Sequence, residues 1–214
     1  DHTRYAVKMA TGSGKTLVMA MAIVWSFFNK KFNINSGLSK CFLIIAPNII
    51  VFERLKEDFE NGKIFLDWDL IPSEWKHDWN NMTYIMREES RKSSTEGTLY
   101  LTNIHQIYEG KNKEPDTDPV NRLLGPKPKD ATGSWEESFL DRIQKHKELL
   151  IINDEAHHVH DTDLEWYKTI LKLHNNLKEK YGNKLSIQLD FTATPKDQNG
   201  TFFSWITCDY PLAQ

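Results

Sequence analysis

Two short, almost entirely apolar runs constrain the fold of this chain most strongly. They are residues 41–46 (CFLIIA) and 149–153 (LLIIN), and each run is followed directly by polar or turn-forming residues. A strand with apolar side chains on both faces is typical of a parallel sheet that helices cover on both sides. Shorter strands are predicted at 4–9, 83–86, 98–102 and 186–191. Because helical segments separate these strands, we predict an α/β fold with a mostly parallel sheet in three layers.

The remaining segments are assigned from periodicity and composition. Helices are predicted at 16–29, 48–60, 135–147 and 162–182, the last opened by a capping box from Thr162 to Glu165. The first helix is apolar on nearly every face, which predicts that it is buried all round. Residues 64–71 are predicted to form a strand, and residues 111–134, rich in Pro, Lys, Asp and Gly, an exposed insertion. We expect residues 1–214 to be one domain of a longer protein.

Composition excludes disorder and a bulk basic surface. The net charge is −3 and 39% of the residues are hydrophobic, so contacts with nucleic acid would have to come from local groups. Cys41 and Cys208 do not form a Cys-x-x-Cys pair, which favours buried free thiols in a reducing, cytoplasmic setting. No signal peptide is evident, and no apolar stretch is long enough to predict a membrane span.

The segment ATGSGKT (10–16) predicts a phosphate-binding loop between a strand and a helix. Glycines at 12 and 14 let the backbone turn its N–H groups towards a phosphate, and the following helix points its positive end there. Lys15 would reach the β- and γ-phosphates, and the Thr16 hydroxyl would ligate Mg²⁺. The predicted ATP-binding residues are Thr11, Gly12, Ser13, Gly14, Lys15 and Thr16. Met9 stands where this type of loop has its usual first glycine.

A pair of acids, Asp154 and Glu155, follows the second apolar run. The carboxyl ends of parallel strands are where ligands bind in open α/β sheets. Asp154 is therefore a predicted magnesium ligand, and Glu155 is predicted to orient and deprotonate the attacking water. His157, His158, His160 and Asp161 also permit a transition-metal site, although the adjacent histidines need not converge. Surface or supporting positions are the favoured interpretation of His158 and His160.

Taken together, these blocks resemble the first RecA-like domain of superfamily 2 helicases. The resemblance rests on ATGSGKT (10–16), APNIIVFERL (46–55), LTNIHQIY (101–108), the DEAH box (154–157) and TATP (192–195). The strings RYAVKMATGSGKT, NDEAHH, DFTATP and SWITCDYPL are similar to Res-subunit-like proteins of type III restriction enzymes.

The resemblance implies roles for individual residues. Lys15, Asp154, Glu155 and His157 would be catalytic, with ATP and Mg²⁺ as cofactors. Thr192 and Thr194 would couple the nucleotide state to a second motor domain. The expected partners are nucleic acid, DNA in the first place, that second domain in the same chain, and a modification subunit. The implied nucleic-acid contacts are Pro47, Asn48, Thr102 and Asn103, although a simple strand-end turn also explains the last two.

Two other functions remain open at this point. A P-loop ATPase could act on protein partners without nucleic acid, although TATP after the DEAH box speaks against it. A non-catalytic scaffold would keep the fold without the chemistry, but the joint presence of Lys15, Thr16, Asp154 and Glu155 argues against that.

Overall fold

A computed structural model describes residues 2–86, 92–103, 139–156, 163–194 and 206–210, with side chains of the last long helix described from residue 168. The predicted insertion at 111–134, His157, His158, His160, Asp161 and the capping-box side chains lie outside this part.

Seven strands form one sheet in the described part of the chain, and every pairing is parallel. They are β1 (Arg4–Met9), β2 (Cys41–Ala46), β3 (Thr83–Met86), β4 (Thr98–Asn103), β5 (Leu150–Asn153), β6 (Gln188–Thr192) and β7 (Ile206–Tyr210). The order across the sheet is β3-β4-β2-β5-β6-β1-β7, so β6 separates β1 from β5.

Helices cover both faces of this sheet. They are α1 (Lys15–Phe32), α2 (Ile49–Phe59), α3 (Lys63–Asp67), α4 (Lys76–Trp79), α5 (Phe139–Ile143) and α6 (Asp163–Tyr181), with 3₁₀ turns at Glu60–Gly62 and Ser73–Trp75. One core lies between the sheet and α1 to α4, and a second lies between the sheet, α5 and α6. The predicted three-layer α/β fold is confirmed.

Alternating side chains along the central strands fill the two cores. Phe42 and Ile44 pack under α1 and α2, whereas Leu43 and Ile45 pack against α6. All six residues of β2 are buried, as its continuous apolar run predicts for a strand covered on both faces.

Several predictions about single elements are wrong. Residues 64–71 do not form a strand, because Ile64 and Phe65 turn into the core from the short helix α3 while Leu66 is exposed. α1 is not buried all round, since Met21 and Trp25 are more than half exposed on the side away from the sheet. The helix expected at 135–147 has its described part at Phe139–Ile143 and ends there.

The tryptophans between α3 and β3 mostly serve packing. Trp79 is buried and lies against the rings of Phe27 and Phe65. Trp75 packs on Phe28, whereas Trp68 is largely exposed. Packing therefore accounts for two of these three side chains.

The two cysteines differ in environment. Both are free thiols, with Cys41 buried in β2 and Cys208 exposed on β7. The expectation that both are buried is wrong for Cys208, because β7 lies at the edge of the sheet with its last four residues exposed. Among the helices described, none has the length and apolar character needed to cross a membrane.

Candidate nucleotide-binding site

The register of the sheet brings most of the predicted site residues to one edge. Ile45 of β2 lies beside Asn153 of β5 and Thr102 of β4. Asn153 in turn lies beside Asp190 of β6, and Lys8 of β1 lies beside Thr192. Since all these strands run in the same direction, the segments that follow them emerge together at the carboxyl edge.

The loop between β1 and α1 is built around two left-handed glycines. Gly12 and Gly14 have φ values of +78° and +89°, a region that side chains with a Cβ rarely adopt. Both face open space, since no described atom lies within 4 Å of the point that a Cβ would occupy. Ser13 closes the turn by donating from its N–H and its hydroxyl to the carbonyl of Ala10.

The amino end of α1 is left open for a ligand by the residues around it. Gly14 occupies the capping position without a side-chain hydrogen bond, and the first turn contains no acidic residue. The N–H groups of a helix start and its dipole favour an anion at such a position. Together with Lys15 in the same turn, they form a suitable cradle for phosphates.

Lys15 connects this loop with the acids after β5. Its ammonium donates a hydrogen bond to Oε1 of Glu155. The two side chains are only 7% and 14% exposed, so each charge depends on the other for compensation. The phosphate loop and the DEAH acids therefore meet at one point, as the sequence predicts.

Asp154 is a fully enclosed charge, with a side chain that is 0% exposed. Its Oδ1 accepts from the N–H of Glu155 at 2.9 Å, and its Oδ2 accepts from Nη2 of Arg54 at 2.7 Å. Burial raises the pKa of Asp154, and the carboxylate of Glu155 raises it further, while Arg54 and Lys15 act in the opposite direction.

Glu155 has an unusual backbone conformation. Its φ is +46°, the left-handed region, which costs a residue with a side chain about 1 kcal/mol or more. This sharp turn, two residues after the end of β5, places the carboxylate within hydrogen-bond reach of Lys15. Sequence reasoning placed Glu155 in the site but gave no signal for this conformation.

Arg54 is a site residue that sequence reasoning missed. It belongs to the block at 46–55, but an arginine on a helix with exposed neighbours is indistinguishable from a solvated surface residue. Phe52 and Leu55 anchor α2 in the core, and this fixes the face from which Arg54 reaches Asp154. Only the relative positions of α2 and β5 reveal the contact.

The predicted coupling threonines lie at the end of β6, between the phosphate loop and the acids. Thr192 is buried, and its hydroxyl accepts from the N–H of Thr194, which is exposed. Two residues earlier, the buried carboxylate of Asp190 accepts from Arg4, Asn153 and Gln188. A polar network therefore links the three strands that carry the site.

The four residues expected to contact nucleic acid lie on the other half of the same edge. Pro47, Thr102 and Asn103 are buried, and Asn48 caps α2 by accepting from the N–H of Val51 at 2.9 Å. Their side chains serve the fold in this conformation.

The residues present fit a nucleotide with Mg²⁺. Asp154 offers a hard oxygen donor whose strongest partner is a half-exposed arginine, and Thr16 follows Lys15 in the first turn of α1. A cleft of about 610 Å³ lies at the opposite, amino edge of the sheet, lined in part by Lys30, Lys178 and Lys184. It lacks the phosphate loop and the acids, so the chemistry assigns the nucleotide to the carboxyl edge.

Comparison with known proteins agrees with this geometry. A family model described as type III restriction enzyme, res subunit, matches residues 1–197, which is most of the chain. A search of curated proteins found no match to this chain. The parallel sheet with β6 between β1 and β5 is consistent with the RecA-like domain of that family. The chain therefore belongs to the type III restriction enzyme res subunit family and is a superfamily 2 helicase-like ATPase motor domain.

Proposed function

We propose that this domain binds ATP with Mg²⁺ and couples hydrolysis to movement on nucleic acid, DNA in the first place, as the motor of a Res-like subunit. The contact between Lys15 and Glu155 carries the proposal, because it joins the phosphate loop to the acids at the edge where α/β sheets bind ligands. The family match supports the same reaction class.

The roles of the phosphate loop follow from its geometry. The N–H groups around Gly12 and Gly14 would surround the phosphates, and Lys15 would bind their negative charge. Thr16 and Asp154 would hold Mg²⁺, which would neutralise part of the phosphate charge. Each of these groups lies at the carboxyl end of β1 or β5.

Glu155 would act as the base for water. In the nucleotide-free arrangement its carboxylate is engaged by the ammonium of Lys15. When Lys15 turns to the phosphates, Glu155 would take a proton from water, whose oxygen attacks the terminal phosphorus as ADP leaves. Binding of the substrate would thereby move Lys15 off the carboxylate that serves as the base.

The nucleic acid would lie along the half of the edge formed by β2 and β4. The net charge of −3 gives no general attraction, so binding there would depend on main-chain groups and a few cations. A second motor domain in the same protein would complete the groove and supply a cation to the phosphates. We therefore expect residues 1–214 alone to hydrolyse ATP slowly or not at all.

The decisive experiment compares Glu155→Gln with wild type in the full-length protein. ATP hydrolysis should fall by about 10²- to 10⁴-fold while binding of a fluorescent ATP analogue is retained. Glu179→Gln is the matched control, because Glu179 lies exposed on α6, remote from the site. Turnover unaffected by Glu155→Gln would overturn the assignment of the base.

Binding of the nucleic acid needs a separate measurement. Fluorescence anisotropy with labelled single- and double-stranded DNA, with RNA as competitor, should show salt-dependent binding that changes when a non-hydrolysable ATP analogue is added. An active ATPase that binds neither DNA nor RNA would instead indicate action on protein partners.

A further inference from the structure

Arg54 holds the position on Asp154 that a divalent cation would need. Its Nη2 lies 2.7 Å from Oδ2 of Asp154, and the other carboxylate oxygen accepts from the main chain. The carboxylate is wholly enclosed in this arrangement, whereas the side chain of Arg54 is 51% exposed. Of the two partners, only the arginine has room to move.

The charges of the site are balanced in pairs. Arg54 compensates Asp154, and Lys15 compensates Glu155, so two cations lie on two acids. A divalent cation beside Asp154 would come close to the guanidinium, and like charges a few ångströms apart repel strongly in a partly enclosed site. The two cations cannot share that carboxylate at low cost.

We propose that Arg54 occupies the metal position on Asp154 in the nucleotide-free domain and neutralises the carboxylate there. When a divalent cation binds with the nucleotide, the guanidinium must leave. This inference rests on the proposed role of Asp154. The core packing of Phe52 and Leu55 keeps α2 in place, so the exchange is a side-chain movement of Arg54 into solvent.

The sign of a metal-affinity change tests the proposal. With Mn²⁺ and ADP as probes, and free Mn²⁺ measured by electron paramagnetic resonance, Arg54→Gln should bind the metal about tenfold more tightly than wild type. Arg54→Lys keeps the charge and should stay near wild type. Lys56→Gln makes the same charge change on α2 without touching Asp154 and should have no effect. Unchanged or weaker binding by Arg54→Gln would overturn the proposal.

Thermal unfolding gives a second readout that does not depend on activity. Without metal, Arg54→Gln should unfold at a lower temperature than wild type, because a buried carboxylate loses its cation. Addition of Mn²⁺ and ADP should remove this difference in unfolding temperature. If Arg54→Gln still unfolds at a lower temperature than wild type at saturating metal, the role of Arg54 is purely structural.

A third measurement uses only the wild-type protein, in case Arg54→Gln does not fold. Modification of Arg54 by phenylglyoxal, followed by peptide mass spectrometry, should become faster when Mg²⁺ and ADP are both present, but not with ADP and a chelator. Equal rates of Arg54 modification with Mg²⁺ and ADP and with ADP and a chelator would contradict the exchange. Failure of the wild type to bind ADP or Mn²⁺ at all would instead contradict the proposed function.

Discussion

Asn153 and Asp154 are consecutive residues, yet their side chains make contacts on opposite faces of the sheet. Asn153 donates to Asp190 at 2.6 Å on the side of α6, and Asp154 accepts from Arg54 on the side of α2. The alternation of side chains along β5 continues one residue beyond its end, because the N–H of Asp154 still donates to the carbonyl of Ile45 in β2. The strand end that carries the acid is therefore fixed by one side-chain contact on each face of the sheet, to β6 on one side and to α2 on the other.

The buried network around Asp190 should contribute strongly to stability. Asp190→Ala removes the carboxylate to which Arg4, Asn153 and Gln188 donate, and should lower the free energy of unfolding by about 3–5 kcal/mol. Urea denaturation of both proteins measures the difference.

A second acid provides the control for Asp190. Asp209 forms an exposed pair with Lys8, so Asp209→Ala should cost only about 0–1 kcal/mol. Equal losses for Asp190→Ala and Asp209→Ala would show that burial of the network is not the stabilising factor.

Lys15 and Glu155 should be coupled in the nucleotide-free protein. Lys15→Met leaves a largely enclosed carboxylate without its cation and should destabilise, and adding Glu155→Gln should recover part of the loss. We expect a coupling free energy of about 1–3 kcal/mol in a double-mutant cycle of unfolding. Strictly additive effects would mean that the contact does not form in solution. Binding of a fluorescent ATP analogue should be lost in Lys15→Met in either case.

Gly14→Ala should damage both the fold and the site. A φ of +89° is unfavourable for alanine, so the free energy of unfolding should fall by about 1–2 kcal/mol, and nucleotide binding should weaken because the new methyl group projects into the space of the loop. Gly37→Ala is the control, since Gly37 lies outside the left-handed region and faces open space. Similar effects of the two substitutions on nucleotide binding would argue against a phosphate cradle at Gly14.

His146 should make stability depend on pH. Burial lowers the pKa of His146 to about 4, and its Nε2 lies 2.8 Å from the hydroxyl of Tyr100. The unfolded chain, with a pKa near 6.5, then binds the proton more readily than the folded protein between these values. The free energy of unfolding should therefore fall by about 2–3 kcal/mol as the pH drops from about 6.5 to about 4.

His146→Gln isolates this contribution from other titrating groups. The difference in unfolding free energy between wild type and His146→Gln should itself change across that pH range. A difference that stays constant from pH 7 to pH 4 would show that His146 titrates normally in the folded protein.

The fold was accessible from the sequence because a buried parallel sheet has an unambiguous pattern. Consecutive apolar residues such as Leu43 and Ile44 can both be buried only if each face of their strand is covered. The segment at 64–71 lacks such a restriction, since adjacent buried residues suit a short helix or a strand equally well. The outer face of α1 was misjudged because Trp25 is apolar but remains exposed.

The site was predictable only where the chemistry requires particular residues at short spacing. Gly14, Lys15 and Thr16 are contiguous, so their pattern is visible in the sequence. Arg54 and Asp154 are 100 residues apart, and their contact depends on the adjacency of β2 and β5. The backbone turn at Glu155 likewise follows from the three-dimensional arrangement, because glutamate has no preference for a positive φ.

The position of β6 between β1 and β5 sets the width of the site. Neighbouring strands lie about 4.8 Å apart, so β1 and β5, with β6 between them, lie about 10 Å apart, and the side chains of Lys15 and Glu155 meet across that distance. The strand that ends in Thr192 therefore does more than complete the sheet, because it keeps the loop after β1 and the acids after β5 one strand apart and places its own threonine between them.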